Sequence, residues 1–118
     1  MTGEIVVTLP LRLVSLANRR EHWAQRSGRA KLQRKTASWA LRMFTVPEPQ
    51  PLDIEITRIA PRPLDSDNLA ISAKHVRDGV ADWLGIDDGH PLLLWAYSQE
   101  RGSPHHYSCR VRIRPKED

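Results

Sequence analysis

The 118 residues amount to one domain of chain, and their 40% hydrophobic content places them with folded globular proteins rather than disordered ones. Eighteen Lys and Arg against 14 Asp and Glu leave a net charge of +4 and a pI near 9.7, a bias toward an anionic partner, most simply nucleic acid. Cys109 is the only cysteine, which excludes an internal disulfide and fits a reducing cytoplasm; no apolar run nears the roughly 20 residues of a spanning helix, so no membrane partner is expected, and the MTGEIVVTLPL start has no signal-peptide pattern.

Residues 4–13 alternate through Ile5, Val7, Leu9, Leu11 and Leu13, the period of a strand that Pro10 confines to an edge or an end. Residues 14–29 are basic and without period, interrupted by Gly28. A helix fits from Ala30 to Phe44, with Leu32, Thr36, Trp39, Ala40 and Met43 on one face. The prolines of TVPEPQP make a connection, and LDIEITRI (52–59) reads as a second strand. A second helix spans 68–84 through Leu69, Ser72, Ala73, Val76, Val80, Trp83 and Leu84, closed by Gly85. Asp87-Asp88-Gly89-His90-Pro91 is turn chemistry. Strands follow at about 92–101 and 105–114, the last alternating Tyr107, Cys109, Val111 and Ile113 with a row of arginines, Arg110, Arg112 and Arg114. The spacing of Trp39 and Trp83 puts both in the core. The order β-α-β-α-β-β implies a single α+β domain, a small mixed sheet with two main helices.

Between the second strand and second helix stands PRPLDSDNLA (61–70). If Asp65 and Asp67 remain extended, they point the same way, roughly 7 Å apart at Cα. At about 5 Å their charges repel by roughly 3 kcal/mol in an effective dielectric near 20. A hard divalent cation bound through oxygen offsets that repulsion. Helix capping explains the same residues, since Asp, Ser and Asn all favour N-caps and negative charge suits a helix N-terminus. Three acids with Lys74, in one short basic chain, are what metal-assisted phosphodiester cleavage needs.

The run Leu64-Asp65-Ser66-Asp67-Asn68-Leu69, then Lys74 and Asp78, then Leu84-Gly85-Ile86-Asp87-Asp88, resembles the RusA family of Holliday junction resolvases. The likeness covers residues 61–90 and extends loosely to Leu9-Pro10 and Asn18-Arg19-Arg20. It implies a RusA-like fold and Mg²⁺-dependent cleavage, with Mn²⁺ as a substitute, of four-way DNA junctions by a homodimer. The family's metal-binding aspartates fall on Asp65, Asp67 and Asp88. Its functional lysine falls on Lys74 when about three extra residues are allowed after Asn68-Leu69.

A continuous helix from 68 to 84 is about 24 Å long. Asp88, just past its end, would then be out of reach of Asp65 and Asp67, because its short link spans at most about 14 Å. A shared cation would require Asp88 from a second copy, in a twofold dimer with two composite sites. Arg19, Arg20, Arg26, Arg29, Lys31, Arg34 and Lys35, against Glu21 alone, form a segment suited to DNA phosphates, with Arg62 beside the aspartates. Trp23 could stack on an exposed base. Arg110, Arg112 and Arg114 either extend that surface or keep an outer strand soluble and unpaired. Two rival functions remain: a non-catalytic nucleic-acid-binding protein whose aspartates are caps and turns, and a metal-dependent nuclease for flap or other branched DNA.

Overall fold

In the computed structural model, which describes residues 3–15 and 23–117, the elements run β1 (Ile5–Leu9), α1 (Trp23–Leu41), β2 (Leu52–Ala60), α2 (Ser66–Ser72), α3 (Lys74–Leu84), β3 (Leu93–Arg101) and β4 (Ser108–Pro115). The domain is α+β with three helices, one more than the sequence pattern implies. Its sheet is mixed, ordered β1-β4-β2-β3. β2 and β3 are parallel, since α2 and α3 supply the crossover between them, while β4 runs antiparallel to both β1 and β2. Among the described residues no helix is long and apolar enough to cross a membrane.

Strand alternation fixes which face is covered. Leu52, Ile54 and Ile56 on β2, Cys109, Val111 and Ile113 on β4, and Ile5 and Leu9 on β1 turn inward, where Ala37, Leu41, Val76 and Val80 of the helices meet them. The opposite face carries Asp53 across from Arg114 and Glu55 across from Arg112. β4 is therefore a central strand, so the arginine row does not protect an unpaired edge. It faces carboxylates on the neighbouring strand, an arrangement that favours the pairing. β1 lies at an edge and stops at Leu9, because Pro10 has no N–H to continue the ladder.

Helix α1 differs from its sequence pattern in extent and in face. It begins at Trp23, runs through Gly28, and buries Gln33, Ala37 and Leu41. Leu32, Trp39 and Met43 are exposed, and Arg42 stacks 3.7 Å above the Trp39 ring. Trp39 is thus outside the core, while Trp83 packs against it. The reason is a close helix crossing: a Cβ on Gly79 of α3 would come within 2.3 Å of the Arg34 carbonyl oxygen. At such a crossing small residues pack best, so α1 turns Ala37 inward and leaves its tryptophan outside.

The apolar pattern over 68–84 holds, but the helix is broken. The Ser72 hydroxyl donates to the Leu69 carbonyl at 2.7 Å, and Ala73 sits at φ −93°, ψ −1°, ending α2 and starting α3. Back-bonding of this kind competes with the helical ladder and bends it. Gly85 closes α3 in the left-handed region at φ 76°, its N–H shared by the Ala81 and Asp82 carbonyls. β4 starts at Ser108, so His105 and His106 precede the strand rather than opening it.

Candidate functional site

The loop before α2 is held at both its backbone groups. Gln99 of β3 accepts from the Leu64 N–H at 2.9 Å and donates to the Leu64 carbonyl at 2.7 Å. Pro61 and Pro63 restrict the residues before them to extended geometry, so the chain reaches Asp65 on a fixed path. Asp65 is the N-cap of α2: its carboxylate accepts from the Asn68 N–H at 2.8 Å and from the Asn68 side-chain amide at 2.9 Å. These bonds, the backbone one foremost, hold its carboxyl below the usual aspartate range. Asn68 in turn accepts from the Ser15 hydroxyl at 3.0 Å, which ties α2 to the segment after β1. Asp67 lies in the first turn of α2, exposed. The two aspartates do not form an extended pair, because the helix begins between them.

Beyond the break at Ala73, a cleft of about 330 Å³ opens between Ala70, Ile71, Lys74, Arg77, Asp88 and Tyr97. Asp88 reaches it because the loop after Gly85 folds back along α3. Arg77 donates from Nε to the Asp88 carboxylate at 2.7 Å and from Nη2 to the Asp88 carbonyl at 3.2 Å. The Trp95 indole N–H donates to that same carbonyl at 2.7 Å. Arg77 is itself fixed by the Tyr97 hydroxyl at 2.8 Å and by stacking 4.7 Å above the Trp95 ring. Lys74 stands at the rim, 3.7 Å from Asp78. Asp87 keeps the turn role, accepting from the Gly89 N–H at 2.9 Å.

The helix between the carboxylates is not one continuous rod, since it breaks at Ala73. Asp67, Ala70 and Ile71 share one face of α2 by their spacing of three and four, and Ala70 and Ile71 wall the cleft that holds Asp88 and Lys74. Asp67 thus stands about one helical turn, ~5.4 Å along the axis, from that wall. Even so, among the described residues no three His, Cys, Asp or Glu are gathered closely enough to hold a metal ion. The donors have the hard oxygen chemistry that suits Mg²⁺. Their arrangement in a single chain does not assemble a site: Asp65 is committed to its cap and Asp88 to Arg77.

The basic segment divides as well. Arg19 and Arg20 lie outside the described residues. Arg34 grips Asp82 of α3 through two bonds, 2.6 and 2.8 Å, and so clasps two helices together. Arg26, Lys31 and Lys35 are exposed, Arg29 is half-buried, and Trp23 is exposed at the start of α1. Arg62 is exposed on the loop leading to Asp65.

Arg77 and Gln99 are the residues that sequence reasoning missed. Arg77 carried a partial signal, one turn past Lys74 on the same helix. Gln99 carried none, because its partner is 35 residues away and is met through the fold alone.

No family model matches the chain. It is 36% identical over 104 residues to a protein of Xylella fastidiosa (strain Temecula1) whose name, an uncharacterized protein, assigns no activity; the match covers 74% of this chain. The chain spans 65% of the length of that relative.

Proposed function

We propose that the chain is a divalent-metal-dependent endonuclease with a RusA-like fold that cuts four-way DNA junctions as a homodimer. The observation that carries this reading is the convergence of Lys74 and Asp88 on one cleft, one helical turn from Asp67. An acid and a lysine beside further acids, in a chain of net charge +4, suit a phosphodiester better than a neutral substrate. Asp65, Asp67 and Asp88 would hold the cation once a second copy, or release of Asp88 from Arg77, brings the third carboxylate in. A bound Mg²⁺ supplies an activated water and charge neutralisation at phosphorus. Lys74 contributes a positive charge at the rim, and Arg26, Lys31 and Lys35 offer exposed cations for the junction arms.

A second reading, a non-catalytic nucleic-acid-binding protein, is favoured by the structural partners that Asp65 and Asp88 already have. The test is cleavage of a synthetic four-way junction, with and without Mg²⁺, by the wild type, Asp65→Asn, Asp67→Asn and Asp88→Asn. Asn retains an N-cap at little cost, so folded Asp65→Asn isolates the charge from the cap. Metal-dependent cleavage that each substitution abolishes supports the enzyme. Binding without cleavage in the wild type supports the second reading. Flap and linear duplex substrates separate junction specificity from general nuclease action.

A further inference from the structure

At the carboxyl ends of the parallel pair β2 and β3, a pocket of about 430 Å³ is lined by Arg58, Pro61, Arg62, Pro63, Glu100 and Arg101, among others. Strand register explains it. Arg58 lies opposite Gln99 and Ala60 opposite Arg101, and alternation puts all four on the face of the sheet that the helices cover elsewhere. The small Ala60 leaves space between the two arginines, and the Pro61–Pro63 loop forms the wall.

Arg58 is only 7% exposed. It donates from Nε to the Leu13 carbonyl at 2.9 Å and from Nη1 to the Arg62 carbonyl at 2.7 Å. Among the described residues no carboxylate pairs with its guanidinium. Burial therefore pulls its pKa below the ordinary arginine value. Glu100, the acid in the pocket lining, is occupied by a forked pair with Arg110. A buried cation without a counter-charge is costly, so a pocket that gathers two more arginines around it calls for an anion. A guanidinium fork matches phosphate oxygens in particular.

We propose that this pocket holds a backbone phosphate of a nucleic-acid strand, gripped by Arg58 from below and by Arg62 and Arg101 from the rim. It rests on the nucleic-acid part of the reading above and adds a grip on the strand three residues before Asp65. Since Gln99 ties Leu64 to β3, the grip and the carboxylates belong to one rigid frame. A strand held here is presented to Asp65 and Asp67 in a fixed register.

The test is fluorescence anisotropy with the full chain, a labelled four-way junction and a labelled single strand, in EDTA across a salt series. Wild type is compared with Arg62→Ala/Arg101→Ala and with Arg58→Lys, which keeps the charge and loses the fork. The double variant should bind roughly tenfold or more weakly, with a salt slope shallower by about 1, for the one phosphate the pocket neutralises. Arg58→Lys should weaken binding while circular dichroism shows the fold retained. Unchanged affinity and slope in the double variant, or no binding of either DNA by the wild type, overturns the proposal. So does saturable binding of a nucleoside monophosphate in the pocket without binding of either DNA. Cleavage is scored separately: wild-type binding through the pocket with no nicking of the junction sinks the nuclease and leaves the pocket intact. Nicking with pocket-independent binding does the reverse.

Discussion

Arg77 and Asp88 meet side chain to side chain, Nε to Oδ2 at 2.7 Å, across eleven residues of chain. The pair fixes the loop after α3 against the helix and decides where the third candidate ligand stands. A carboxylate so engaged cannot also present both oxygens to a cation.

Removal of the guanidinium should therefore have two effects. Arg77→Ala leaves a half-buried carboxylate without its charged donor, and urea denaturation should show a loss of about 1–2 kcal/mol. The freed Asp88 should also make the variant's midpoint more responsive to added Mg²⁺ than the wild type's, as linkage requires of a newly available site. Equal responses to Mg²⁺ would mean that Asp88 is not a ligand. Arg77→Lys keeps the charge without the fork and should fall between the two.

Gln99 makes two hydrogen bonds to one residue, and both vanish in Gln99→Ala. The expected cost is about 1–2 kcal/mol, with faster hydrogen exchange at the Leu64 amide as the local readout. Gln99→Glu, nearly the same shape, should also destabilise, because a carboxylate cannot donate to the Leu64 carbonyl. Cleavage should fall in both variants if the path to Asp65 positions the site.

Gly79→Ala tests the helix crossing. In an open helix the change would add about 0.5–1 kcal/mol of stability. Here the new Cβ would meet the Arg34 carbonyl oxygen at 2.3 Å and the Ala37 Cβ at 2.8 Å, so α1 and α3 must separate. Overpacking of this kind costs about 1–3 kcal/mol, and thermal unfolding should shift downward rather than upward.

That crossing also explains why the sequence misled at α1 and not in the sheet. Strand residues alternate by hydrophobicity, and Ile54, Ile56, Val111 and Ile113 face inward as their period requires. Along α1 the inward residues are Gln33, Ala37 and Leu41, of which the small Ala37 meets the close approach of Gly79, while Leu32 and Trp39 supply a misleading apolar stripe outside. The helix break was hidden for a related reason: the apolar face continues through it, and the Ser72 bond beside it changes no hydropathy. Of the candidate site, the acids and Lys74 were legible as residue types. Their partners were not, since Arg77 with Asp88 and Gln99 with Leu64 meet through tertiary folding.

Cys109 supplies a pH test. It is fully buried, and burial pushes its thiol up from 9.0 to about 12. The folded state thus holds the proton more tightly than the unfolded chain does. Its contribution is complete below the ordinary thiol value and is lost as pH rises from 9.0 toward about 12. Over that window the wild type should lose stability more steeply than Cys109→Ala, by up to about 1.4 kcal/mol for each pH unit. In the native state the thiol should resist alkylating reagents at pH 8 and react once urea unfolds the chain.

With one side of the sheet left to water, odd and even positions along its strands live under different rules. On β4, a polar swap at Val111 or Ile113 strikes the interior, while the exposed Arg114 next door can exchange with other solvated side chains at little cost to folding. Deep mutational scanning should therefore trace a two-residue rhythm of tolerance along β2 and β4, interrupted at Thr57, whose hydroxyl meets Ser98 at 2.7 Å. Any selection that keeps the outward arginines despite this latitude would be selection for what they touch.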